Sequence, residues 1–180
     1  IDGLEELDAA DALVLYVRRQ ALPNQQMAAI RRYLDAGKPL VALRTSSHAF
    51  DIKAEPPKGM ETWPEFDAKV LGGNYHNHLR PGPPTKIAAA DEAAENPILK
   101  NLRLAGWTST ASLYLVSPLA SGAKALLIGK CGEAVEPIAW THCYRSGRVF
   151  YTSLGDANDF QSPQFRELMA NALFWAMDNM

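Results

Sequence analysis

Cysteine is nearly absent: Cys131 and Cys143 are the only two in 180 residues. Two are too few for a disulfide scaffold or for a zinc site built from cysteine alone. Cys143 lies inside a strand pattern and Cys131 at a turn, so both read as structural rather than as activated thiols. No apolar run approaches the ~20 residues of a membrane-spanning helix. Charge of one sign is also lacking, since 18 Lys and Arg stand against 20 Asp and Glu for a net −2. That excludes a broad basic nucleic-acid footprint and a polybasic membrane surface, so neither nucleic acid nor membrane is expected as a partner. Phosphate-cradling Gly-x-Gly-x-x-Gly and Walker sequences are missing, and no particular cofactor is implied. Internal repeats, low-complexity segments and interdomain linkers are missing too. The start at Ile1-Asp2-Gly3, without an initiator Met or a signal peptide, fits a processed or cut chain.

What is present is an ordinary globular composition, 47% hydrophobic and 21% charged. A chain of this length buries roughly 70% of its unfolded surface and needs no covalent staple. Asp11 to Val17 is a nearly continuous apolar run, as in a strand covered on both faces. Pro23 opens a helical pattern with Met27, Ile30, Arg31 and Leu34 on one face, and Gly37 stands at a C-cap position. Pro39 to Leu43 is a second buried strand, which completes a βαβ unit and implies a parallel pair. Arg44 to Lys58 reads as loop. Thr62 and Glu65 have capping-box spacing, ahead of a short helix with Phe66 and Val70 inward that ends at Gly72-Gly73. A strand over Thr85 to Ala90 and a helical turn from Asn96 follow. Ala125–Lys130, Pro137–Tyr144 and Arg148–Ser153 are strands joined by loops too short for anything but antiparallel pairing. Ser162-Pro163 starts a last helix with Phe165, Leu168, Met169, Ala172 and Ala176 on its apolar stripe.

Ligands of open α/β sheets bind beyond the carboxyl ends of the parallel strands. The first candidate segment is therefore Arg44-Thr45-Ser46-Ser47-His48, where a guanidinium fork can hold an anion or a hydroxyl and an imidazole can move protons. The alternative is a polar turn satisfying its own backbone. The second is Asn74-Tyr75-His76-Asn77-His78, whose His-x-His spacing puts two rings on one side of an extended segment. With His48 these rings are candidates for a metal site, although two imidazoles alone do not make one. The third is Asp156 and Asp159, which can orient a His or bind hydroxyls, or simply make a turn. Trp63, Tyr75 and Trp107 offer stacking faces for sugar rings, with packing as the alternative. Arg44, His48, His76 and Asp156 are the catalytic candidates. Ser46, Ser47, Asn74, Tyr75, His78 and Asp159 are the substrate-binding candidates, and no metal ligand is assigned.

Four stretches carry a family resemblance over nearly the whole chain. They are Ala12–Val17 with the helix to Gly37; Pro39–His48; Trp63-Pro64-Glu65-Phe66 through Leu71-Gly72-Gly73-Asn74-Tyr75-His76; and Pro137–Thr141 with Gly147–Gly155 and the closing Asn171–Ala176. Together they resemble the ThuA-like (trehalose-utilisation) family of the class I glutamine-amidotransferase-like superfamily. The resemblance implies an α/β, flavodoxin-like three-layer sandwich, with a mostly parallel sheet and a C-terminal antiparallel part. It implies one domain over 1–180 that lacks the strand and helix normally ahead of Asp11–Val17. It also implies a carbohydrate-related role, binding or processing a sugar-like ligand in a polar cleft at the strand ends. Arg44 stands where amidotransferases of this fold carry the catalytic Cys, so glutamine hydrolysis through a thiolate is excluded. Asp156 follows Leu154-Gly155 where the family often has His, and Ala111-Ser112 precede Leu113-Tyr114 where it often has an acidic pair. Those departures keep two other readings open: a non-catalytic sugar-binding or interaction module, and a metal-dependent hydrolase using His48, His76 and His78. A homo-oligomer is compatible with any of them.

Overall fold

A computed structural model describes residues 1–80 and 82–178. Its main sheet has seven strands: β1 (Leu13–Leu15), β2 (Leu40–Leu43), β3 (Thr85–Ala89), β4 (Thr108–Ser109), β5 (Lys124–Cys131), β6 (Ala134–Tyr144) and β7 (Gly147–Thr152). Their spatial order is β1-β2-β7-β6-β5-β3-β4. The β1–β2 and β2–β7 pairings are parallel. The β7–β6, β6–β5, β5–β3 and β3–β4 pairings are antiparallel. The antiparallel part is thus larger than the resemblance implies. Short turns force β5, β6 and β7 into a meander, and β3 and β4 extend it at the far edge.

Two helices cover the sheet, α1 (Asn24–Asp35) and α2 (Pro163–Met177). Side chains alternate across a strand, and β2 shows the consequence because all four of its residues are buried. Leu40 and Ala42 join Met27, Ile30, Tyr33 and Leu34 of α1 in one core. Val41 and Leu43 join Phe165, Leu168 and Ala172 of α2 in the other. The continuous apolar run of β2 is therefore what a middle layer between two helices requires. Gly147 opens β7 against the backbone of the α1–β2 connection, and a Cβ there would lie 2.8 Å from the Lys38 carbonyl oxygen.

Ser162 caps α2 by accepting from Phe165 N–H, and Asn96 does the same for Ile98 at the short turn Pro97–Leu99. The expected capping box at Thr62–Glu65 is not made. Phe66 and Val70 do face inward, but Asp67–Leu71 is a single wide turn with no side-chain cap. Gly72, at φ +72, ends it. The segment after β2 is a tight helical turn, Arg44–His48, rather than loop. At the opposite edge from β4, Val14 of strand β1 is 53% exposed and Tyr16, just past the strand, is 50% exposed.

Candidate functional site

Parallel pairing sets the carboxyl ends of β1 and β2 side by side, and the chain leaves both at the same rim. After β1 come Val17, Arg18 and Arg19; after β2 comes the Arg44–His48 turn. The two exits run together, with Arg19 N–H donating to the His48 carbonyl at 3.0 Å and Gln20 N–H to the Ala49 carbonyl at 2.6 Å. Ser46 ties them further: its buried Oγ donates to the Leu15 carbonyl at 2.8 Å and accepts from Val17 N–H at 3.4 Å. Ser46→Ala is expected to cost about 1 kcal/mol, because it removes the hydroxyl bonds that tie the two exits together. A lower urea midpoint with an unchanged slope would register that loss.

Both exits bend through left-handed backbone that side chains rarely adopt. Arg19 has φ +48 and Arg44 has φ +50. Strain of about 1–3 kcal/mol per residue persists only where surroundings hold it, and such positions cluster at functional sites. Here the Arg44 carbonyl accepts from Tyr151 Oη at 2.6 Å and Ser47 Oγ at 3.4 Å.

The rim opens on a cleft of about 540 Å³. Its wall is an aromatic stack. The His48 ring, 6% exposed, lies 4.6 Å from the Tyr75 ring and 6.2 Å from Tyr114. Tyr75 and Tyr114 are 4.7 Å apart. Tyr75 also lies nearly parallel to His78, with its hydroxyl 2.9 Å from His78 Nδ1. The antiparallel pairing of Asn77–His78 with Tyr114–Leu115 brings these two segments together.

Burial, reinforced by the Arg19 and Arg18 guanidinium groups and then by His78 and Arg44, pushes the His48 pKa down to about 4. The imidazole is therefore neutral at pH 7, with one nitrogen free to accept a proton. Burial also raises the Tyr75 and Tyr114 hydroxyls, which stay protonated donors. Behind Tyr75 sits Asp67, whose Oδ2 accepts from Tyr75 N–H at 2.7 Å. Its Oδ1 has no hydrogen-bond partner among the described residues. Burial raises its pKa to about 6, against the opposing effect of the Tyr75 N–H.

Several expected site residues have other duties. The Arg44 guanidinium donates to the Ser153 carbonyl at 2.7 Å, the Ser112 carbonyl at 3.3 Å and Ser112 Oγ at 3.2 Å. It lies 4.5 Å from the Tyr114 ring, so it braces the wall from behind. Ser47 Oγ is 3.1 Å from His48 Nδ1 and orients that ring. Asn74 is exposed and donates to the Ser117 carbonyl. His76 lines the cleft, and its Nδ1 lies 2.9 Å from the Asn74 carbonyl. A carbonyl can only accept, so Nδ1 carries hydrogen and Nε2 carries the lone pair of the neutral ring.

Asp156 and Asp159 do not reach the cleft. Asp159 is buried and accepts from Ser109 Oγ and from Gly155 and Asp156 N–H, while Asp156 accepts from Asn158 N–H. Both carboxylates build the turn after β7, which is the turn chemistry that their sequence position also allowed. Trp63 and Trp107, each 5% exposed, are core residues; of the three aromatics considered, Tyr75 alone lines the cleft. Among the described residues no three His, Cys, Asp or Glu side chains are placed to hold a metal ion, and the Tyr75 ring packs against both His48 and His78. Both thiols stand outside the cleft lining, and Cys143 is exposed rather than buried in its strand.

The cleft is also lined by Asn77 of the second candidate segment and by residues outside the three candidate segments: Arg18, Arg19, Lys53, Ser112 and Tyr114. The signal for two of them was available. Arg18-Arg19 follow β1 as Arg44–His48 follow β2, and the strand-end rule applies equally to both.

Comparison with known proteins bears on the family and the fold. A family model described as "ThuA: Trehalose utilisation" matches residues 2–176. A ThuA-like protein from Bacteroides uniformis superposes with a TM-score of 0.71 at 19% identity, covering 96% of this chain and 71% of that one. A cytoplasmic protein from Salmonella typhimurium gives 0.63 at 15% identity, covering 98% and 75%. A β-galactosidase from Rahnella sp. R3 gives 0.62 at 18% identity, covering 96% of this chain but 23% of the enzyme. At these identities the likeness is one of fold. No curated protein sequence matches the chain.

Proposed function

The chain belongs to the ThuA (trehalose utilisation) family, and on that premise we propose that the rim cleft binds or processes a sugar or sugar derivative. The observation that carries this reading is the His48–Tyr75–Tyr114 ring cluster in the cleft wall. Its half-buried member Tyr75 offers an aromatic surface for the apolar side of a sugar ring beside a neutral imidazole. The parallel β1–β2–β7 half, with helices on both faces, supports a flavodoxin-like, class I amidotransferase-like reading of the fold. Arg44 at the turn after β2, and a cleft lining without a thiol, support a reading that does not include thiolate-based glutamine hydrolysis.

In a processing role His48 is the proton acceptor, with Ser47 fixing its ring and His76 Nε2 as a second proton-handling group. Turnover of a glycoside or keto-sugar is then expected to fall at least about 100-fold in His48→Gln. Circular dichroism should show that variant folded. Activity that survives His48→Gln at the wild-type level would overturn the processing role.

A second reading, a non-catalytic sugar-binding module, is favoured by the engagement of Asp156 and Asp159 within their own turn. That leaves the cleft lining without a carboxylate. Sugar binding without turnover, unaffected by His48→Gln except in affinity, would select it.

A further inference from the structure

The cleft has a charge that the chain as a whole lacks. Net charge is −2, yet Arg18, Arg19 and Lys53 all line the cleft and no Asp or Glu does. Arg19 is partly neutralised, since its guanidinium donates to the Asp51 carbonyl at 2.8 Å and lies 3.6 Å from the Asp51 carboxylate. Among the described residues, Arg18 and Lys53 make no ion pair. Arg44, behind Tyr114, adds a fourth positive charge to the same wall.

The hydrogen-bonding inventory points the same way. A neutral sugar presents many hydroxyl donors, and sites that hold one need strong acceptors. Here the acceptors are a few neutral groups, including Asn77, Ser112 and the imidazoles, while charged donors dominate. Guanidinium and ammonium groups find their strongest partners in carboxylate and phosphate oxygens.

Resting on the sugar-binding reading, we propose that the ligand is an anionic sugar derivative. Its carboxylate or phosphate is held by Arg18, Arg19 and Lys53, and its ring lies against the half-buried Tyr75 and the exposed His78. The left-handed turn at Arg19 is then the device that carries the chain from β1 back towards the cleft with this residue in place.

The test compares glucose, glucuronate, glucose 6-phosphate and inorganic phosphate by calorimetry on the purified chain. Glucuronate or glucose 6-phosphate is expected to bind about tenfold or more tighter than glucose at low salt. Which of the two binds tighter separates carboxylate from phosphate recognition. The preference should shrink as salt approaches about 0.5 M. Arg18→Ala and Lys53→Ala should each lower the anionic-to-neutral ratio about threefold. The His48 titration midpoint, followed by NMR, should rise when the anion binds, because Arg18 and Arg19 are then neutralised while His78 and Arg44 remain. Glucose binding equal to both anionic sugars overturns the anionic assignment and leaves the sugar reading standing. Inorganic phosphate as tight as glucose 6-phosphate keeps the anion seat and overturns the sugar reading. Silence from all four probes overturns both.

Discussion

Arg44→Ala is expected to destabilise the protein by about 2–4 kcal/mol, whatever it does to ligand binding. The side chain makes three hydrogen bonds from one charged fork, to the end of β7 at Ser153 and to both the carbonyl and hydroxyl of Ser112. Hydrogen bonds from charged groups contribute about 1.5–3 kcal/mol each, and the carbonyls left behind are partly buried. Arg44→Lys should recover little, because an ammonium cannot span the two positions that a planar fork reaches. Arg44→Gly separates side chain from backbone: it loses the same bonds but relieves the φ +50 conformation, so it should be about 1 kcal/mol more stable than Arg44→Ala. Urea unfolding of the three variants checks the order. An Arg44→Ala protein as stable as wild type would mean that the guanidinium does not brace the wall.

Arg44 also shows where sequence reasoning reached and where it stopped. Its position after a buried parallel strand was legible, because four consecutive apolar residues fit a strand covered by helices on both faces. Its direction was not legible. A guanidinium at a strand end can face a ligand or its own scaffold, and that choice was made by Ser112 and Ser153, 68 and 109 residues away in sequence. Asp159 is half local: its Gly155 and Asp156 donors belong to the turn that its position allowed, while its Ser109 donor lies 50 residues away. Helix starts at Ser162-Pro163 and Asn96-Pro97 were readable because capping is local. The Thr62–Glu65 motif failed because the turn begins at Asp67 with Phe66 at its N-cap position, which leaves Thr62 outside it. Lys53 and Tyr114 carry no sequence signal of the cleft for a like reason: a cleft assembled from distant segments leaves no spacing signature in any one of them.

Two buried groups beside Tyr75, His48 at its ring and Asp67 at its backbone N–H, should give the protein a concealed pH response. The pKa of Asp67 is raised from 3.8 to about 6, so between those values the folded state holds more protons than the unfolded chain. Stability from this group is full below about pH 4 and is lost as pH rises through about 6, a change of about 3 kcal/mol. His48 is depressed from 6.5 to about 4, so in nearly the same window the unfolded chain holds more protons. Its contribution is present above pH 6.5 and is lost as pH falls through about 4. The slopes oppose each other, and wild type should vary little between pH 4 and 6.5. Asp67→Asn removes the falling limb: Asn Oδ1 can still accept from Tyr75 N–H, so the variant should gain stability at pH 7 and become strongly acid-labile. His48→Gln removes the rising limb and should be most stable near pH 4. Urea midpoints of the two variants from pH 4 to 7 should therefore run in opposite directions. Parallel curves would show that one of these groups titrates outside this window, and with it the assigned burial behind or beside Tyr75 would fall.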